Sequence, residues 1–134
     1  MLYVWAYGDV LRVWDFDFTA NQFHLDADQG TMTARTPPGG GLPVSANGDN
    51  DGIVWAIVPT GVSNPAQGAL YAFDAASVNT QLWVSTDYWF ATKYTIPTVA
   101  NGKVYLPTSA SPHSASTNYV PQLRVYGLCG SCAQ

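Results

Sequence analysis

The sequence predicts an all-β fold made of repeated small antiparallel sheets, and three observations carry that expectation. Apolar runs are short, rich in Val, Tyr, Trp and Leu, and cut by Gly, Pro, Asn and Ser, the pattern of strands joined by turns. Glu is absent and only five residues are basic, which deprives long helices of the residues their exposed faces normally use. Two similar phrases recur, "LPVSANGDNDGIVWAIVPT" at residues 42–60 and "TIPTVANGKVYLPTSA" at residues 95–110.

Taken in order, the first strand is expected at residues 2–7, a Tyr/Val/Trp run stopped by Gly8-Asp9. The second, 10–15, alternates apolar and polar positions, as a half-buried strand does. Residues 16–38 are the least clear stretch, and "RTPPGGGLP" at 35–43, with three Pro and three Gly, is a loop or a boundary between units. Strands follow at 42–46 and 53–58 on either side of Asn47-Gly48, then at 69–74 after Gly68 and at 81–85. The last three, 95–100, 103–107 and 122–127, are separated by Asn101-Gly102, a short-hairpin signal, and by the polar loop "TSASPHSASTNYVP" at 108–121.

Superposing the two phrases aligns Pro43–Gly48 with Pro97–Gly102, the first copy then inserting residues 49–52. The strands that follow, Val54-Trp55-Ala56 and Val104-Tyr105-Leu106, have a third counterpart in Leu2-Tyr3-Val4. Beyond each lies a further match, "LRVWD" from Leu11, "LYAFD" from Leu70 and "LRVYG" from Leu123, at spacings of 59 and 53 residues. Periods of this size in an all-strand chain indicate propeller blades. A single small sheet with large apolar residues on both faces cannot stand alone in water, whereas stacked blades bury both. The aligned aromatics Tyr3, Trp55 and Tyr105, and then Trp14, Phe73 and Tyr126, are expected at equivalent layers of the core. Labelling strands A to D outward from the axis, the chain reads B-C-D, A-B-C-D, A-B-C. That is a partial β-propeller of about two and a half four-stranded antiparallel blades, whereas closed propellers need roughly four to eight.

The 134 residues suit one domain. They divide into a partial first blade (1–34), a complete central blade with its Gly/Pro-rich leading loop (35–94), a partial last blade (95–128) and a Cys-containing tail (129–134). An apolar fraction of 47% with 13% aromatic residues is too rich for disorder, and Gly and Pro interrupt it too often for a membrane span. Charged residues make up 10% of the chain, far below the roughly 25% of ordinary soluble domains. A net charge of -4 with scattered cations excludes a nucleic-acid footprint. No basic segment precedes an apolar run at the start, so no signal peptide is expected. Low charge with uncharged polar loops leans toward an extracellular or periplasmic protein.

The runs "SANGDNDGIVWAI", "GALYAFDAASVNTQLW", "PTVANGKVYLPT" and "LRVYGL" together resemble the C-terminal blades of the pyrroloquinoline quinone-like (PQQ-like) β-propeller repeat family. A blade of that family reads P-x-V-x-x-G-x-V-Y, then L-x-A-x-D-A, then a Trp-bearing outer strand, and Asp74-Ala75 and Leu82-Trp83 match the last two parts. Quinoprotein dehydrogenases of this fold stack the quinone between a Trp and a disulfide of adjacent cysteines, and hold Ca²⁺ with Glu, Asn and Asp. Here no cysteines are adjacent and no Glu exists, so an intact quinone site is not assembled from this chain, and the resemblance implies fold more than activity.

Three clusters are candidate sites. Asn47, Asp49 and Asp51 in "NGDNDG" match the opening of a calcium loop, but Val58 stands where the twelfth-position Glu belongs, so a plain turn insertion competes with weak Ca²⁺ binding. His24, Asp26 and Asp28 alternate, and on a strand would share one face able to hold a metal or simply be solvated. Cys129 and Cys132 have Cys-x-x-Cys spacing; Ala133 stands where haem attachment needs His. A disulfide within or between chains, free thiols and a shared zinc site remain open for them. For nucleophilic catalysis there is no G-x-S-x-G elbow, and His24 and His113 lie in loop-like stretches.

The expected function is therefore a non-catalytic blade scaffold or binding module, completed by another chain or by copies of itself, with no cofactor required. The end strands would carry that assembly through Leu2, Tyr3, Val4 and Trp5 on one side and Leu123, Val125 and Tyr126 on the other. The alternative is a C-terminal fragment of a PQQ-dependent quinoprotein dehydrogenase whose cofactor site lies in missing blades. A third reading makes an exposed Trp89 in "DYWF" the stacking platform of a carbohydrate-binding segment.

Overall fold

The computed structural model describes residues 1–35, 39–59, 66–91, 93–109 and 120–127, Ala27 in its backbone only. Among them are ten strands and no helix: β1 Leu2–Val4, β2 Val10–Asp17, β3 Gln22–Thr33, β4 Val44–Asn47, β5 Asn50–Pro59, β6 Gly68–Asp74, β7 Gln81–Val84, β8 Thr98–Ala100, β9 Lys103–Thr108 and β10 Gln122–Gly127. They form three sheets, ordered β1-β2-β3, β4-β5-β6-β7 and β10-β9-β8. Every strand pair in them is antiparallel. The first, second and third sheets thus hold three, four and three strands.

All nine strands expected from the sequence occur, with shifted ends. Pro97 has no N–H to donate to a ladder, and β8 begins immediately after it. The tenth strand, β3, is the outer strand that the B-C-D reading of the first sheet calls for; it pairs with β2 through two register shifts, Val10↔Thr33 to Arg12↔Gln29 and Arg12↔Gln29 to Trp14↔Leu25. Asn101 and Gly102 both take positive φ, 50° and 68°, as a type I′ hairpin requires, and they join β8 to β9. In the other copy the inserted residues put Asp51 at φ 54° and shift the β4–β5 register between Ser45 and Asn47. That is a β-bulge, the structural form of the insertion.

The repeat seen in the sequence is repeated in the strand pairing. Leu2 faces Trp14, Val54 faces Phe73 and Val104 faces Tyr126. One step on, Tyr3 faces Val13, Trp55 faces Ala72 and Tyr105 faces Val125. Val4, Ala56 and Leu106 then face Arg12, Tyr71 and Arg124. Aligned residues therefore occupy the same register in all three sheets, and because side chains alternate, the same two faces.

Two cores lie between the sheets. In the first, Trp5, Leu11 and Val13 of one sheet meet Val54, Ala56 and Phe73 of the next. In the second, Ile57 and Leu70 meet Val104 and Leu106, with Trp55 and Tyr126 packed against them. The central sheet is consequently buried on both faces, and β6 has lost the alternation of a one-sided strand. Leu11, Leu70 and Leu106 have no exposed surface, each a contribution of about 1.5–3 kcal/mol from apolar burial.

Candidate functional site

Strand alternation gives each sheet a leading face and a trailing face. The leading positions, Val54, Ala56 and Phe73 in the second sheet and Val104, Leu106 and Tyr126 in the third, pack on the sheet before. The trailing positions, Tyr3, Trp5, Leu11 and Val13 in the first sheet and Trp55, Ile57 and Leu70 in the second, pack on the sheet after. Two such faces remain over: the leading face of the first sheet and the trailing face of the third.

Both expose large apolar residues, with Arg12 beside them on the first and Lys103 at the end of the second. On the leading face of the first sheet, Leu2 is 45% and Val4 39% exposed, whereas their equivalents Val54 and Ala56 are fully buried. Beside them on the same face stand Trp14 and its β3 partner Leu25, then Phe16 and Phe23, a cross-strand pair with ring centroids 5.0 Å apart. On the trailing face of the third sheet, Leu123 is 64% exposed, although its equivalents Leu11 and Leu70 are completely buried. Val125, Tyr105, Pro107 and Lys103 lie on the same face. Among the described residues β1 and β10 are also edge strands of their sheets, and an edge strand is a template for pairing with a further strand.

The expected edge residues divide accordingly. Leu2, Val4, Leu123 and Val125 are exposed, but Trp5 is buried in the first core, where its indole N–H donates to the Asp9 carbonyl at 3.1 Å. Tyr3 is turned inward as well, its hydroxyl donating to the Ala75 carbonyl at 2.8 Å. Tyr126 lies on the leading face of the third sheet, and its hydroxyl stands 3.0 Å from both Asp87 oxygens. Burial first, and the neighbouring Asp87 second, push its pKa up to about 12. Arg124 forms an ion pair with the same carboxylate and donates to the Tyr88 carbonyl at 2.9 Å.

Trp89 does not fit the expectation of a sugar platform, because it is 3% exposed and forms part of the second core. The reason is Gly68: the Trp89 ring lies so close over it that a Cβ there would stand 2.1 Å away. The neighbouring Tyr88 is the exposed aromatic of that segment. Exposed aromatic surface also occurs at a groove of about 640 Å³ between the second and third sheets, lined by Trp55, Trp83, Tyr126, Leu82 and Val99.

The polar candidates lie on strands and hairpins where they are described. Bulging of β3 breaks the alternation of His24, Asp26 and Asp28. His24 stands 3.8 Å from Asp17, while the Asp28 carboxylate accepts from the Val78 backbone N–H at 2.6 Å and the Asn79 amide at 3.0 Å. Asn47, Asp49 and Asp51 all belong to the β4–β5 hairpin, with Asn47 paired to Asn50. Among the described residues no three His, Cys, Asp or Glu side chains cluster closely enough to hold a metal. None of the described helices is long and apolar enough to cross a membrane, there being none at all. His113, Cys129 and Cys132 lie outside the described residues. No protein-family model, curated protein or solved structure matches this chain.

Proposed function

We propose that this chain is a non-catalytic β-propeller blade module, a scaffold whose two end sheets are completed by further blades from another chain or from copies of itself. The observation that supports it is the repeated register: three sheets present aligned residues on the same faces, and stack leading face on trailing face twice. Such an array ends in faces that are unsatisfied by construction, and contiguous exposed apolar surface marks an interaction site. A quinone of the family that the sequence resembles does not fit this chain, which has neither Glu nor adjacent cysteines. Calcium at Asn47, Asp49 and Asp51 would be an accessory to the scaffold, and a melting temperature unmoved by millimolar Ca²⁺ would remove it.

Native mass spectrometry of the full chain, with and without reductant, tests the scaffold. A discrete oligomer or a regular filament is expected, and a dependence on reductant would assign Cys129 and Cys132 to bonds between chains. A cooperatively folded, strictly single-copy chain at all concentrations would overturn the proposal.

A further inference from the structure

We infer that the partner of this module is a second copy of itself, and that two copies close head to tail into a ring of six sheets. The inference rests on the blade-scaffold reading and supplies its partner. The leading face of the first sheet, with Leu2 and Val4, would pack on the trailing face of the third sheet of the other copy, with Leu123 and Val125.

The two open faces are not merely both apolar; they are the two halves of one interface that the chain already makes twice. Leu123 occupies the repeat position of Leu11 and Leu70, which the next sheet covers completely. Leu2 and Val4 occupy the positions of Val54 and Ala56, and of Val104 and Leu106, which cover the sheet before. A third interface of the same kind therefore needs a trailing face from one copy and a leading face from another. Matching two leading faces, or two trailing faces, would reproduce neither internal contact.

Stoichiometry follows from counting. A contact between different patches closes a ring when its rotation divides a full turn, and otherwise propagates as a filament. Propellers close at about four to eight sheets, the described residues of each copy bring three, and six is the only multiple of three in that range. In the closed pair each copy offers both faces, so the same contact forms twice and no apolar face is left over.

The test uses the full chain and two variants, Val4→Asp on the leading face and Leu123→Asp on the trailing face, observed by native mass spectrometry. The wild type is expected at two copies and each variant alone at one, at a concentration where the wild type is fully paired. An equimolar mixture of the variants is expected to restore pairing, as a dimer holding one copy of each, because it contains one intact contact. Should either variant lose its strand signal in circular dichroism, Leu25→Lys and Val125→Lys, both at half-exposed positions, replace them. A pair that only one variant dissociates, or an assembly of more than two copies, overturns the head-to-tail ring while the scaffold stands. A folded wild type that never pairs overturns both.

Discussion

The interface between the first and second sheets and that between the second and third are built from the same repeat positions, yet they are fastened differently. The first is fastened by polar groups reaching across it, Tyr3 to the Ala75 carbonyl and Asp28 to the Val78–Asn79 turn. At the second, the Trp89 ring on Gly68 is flanked by Asp87, which holds Arg124 and Tyr126 of the third sheet. The segment around Trp89 also bridges β6 to the end of β9, through Gly68 N–H to the Trp89 carbonyl at 3.0 Å and Ser109 N–H to the Phe90 carbonyl at 2.9 Å. The repeat thus supplies the apolar area common to both interfaces, while polar partners outside it, the Ala75 carbonyl, Asp28 and Asp87, differ from one interface to the other.

The strongest break of that comparison is Trp89→Ala, which removes a large ring from the second core and is expected to cost about 3–5 kcal/mol in urea unfolding. Next comes Gly68→Ala, at about 3 kcal/mol, the upper end of overpacking penalties, because the added Cβ cannot coexist with the ring. Combined with Trp89→Leu its cost should shrink, a coupling that a double-mutant cycle reads directly. On the other interface, Asp28→Ala leaves the Val78 N–H without its acceptor. About 1.5 kcal/mol is expected, the lower end for a bond to a charged group, since the site is half exposed. Hydrogen exchange should then rise at residues 76–79 and stay unchanged at Trp89–Ala91.

The smallest effect is alkaline. The Tyr126 pKa is raised in the folded chain to about 12, against about 10 when unfolded. Its contribution is therefore complete below pH about 10 and lost as pH rises to about 12. Tyr126→Phe should be less stable than the wild type at neutral pH and show a shallower fall across that window, as measured by unfolding at a series of pH values.

What was legible in the sequence follows the same division. Val54-Trp55-Ala56, Val104-Tyr105-Leu106 and Leu2-Tyr3-Val4 could be aligned by eye, and their shared register follows from that alignment because strand pairing is a local, period-two property. The Asn101-Gly102 hairpin was legible because few other dipeptides tolerate two positive φ values in succession. The extent and register of β3 were not: its two register shifts destroy the alternation that reveals a strand, and Asp26, Asp28 and Gly30 imitate a loop. Nothing adjacent to Trp89 in the sequence marks it as buried, because its pocket is made by a glycine 21 positions earlier. The pairing of Asp28 with residue 78 spans 50 positions, a separation at which a single sequence carries no signal.

Each sheet is also assembled wholly from strands consecutive in the chain, and no strand of one sheet is borrowed from another. A strand can therefore find its partner by closing a short loop, a small entropic cost compared with long-range pairing. During synthesis, the strands of the first sheet emerge before those of the second, so each new sheet appears beside the face that it will cover. Growth of this kind is polar, with one surface always waiting for the next unit.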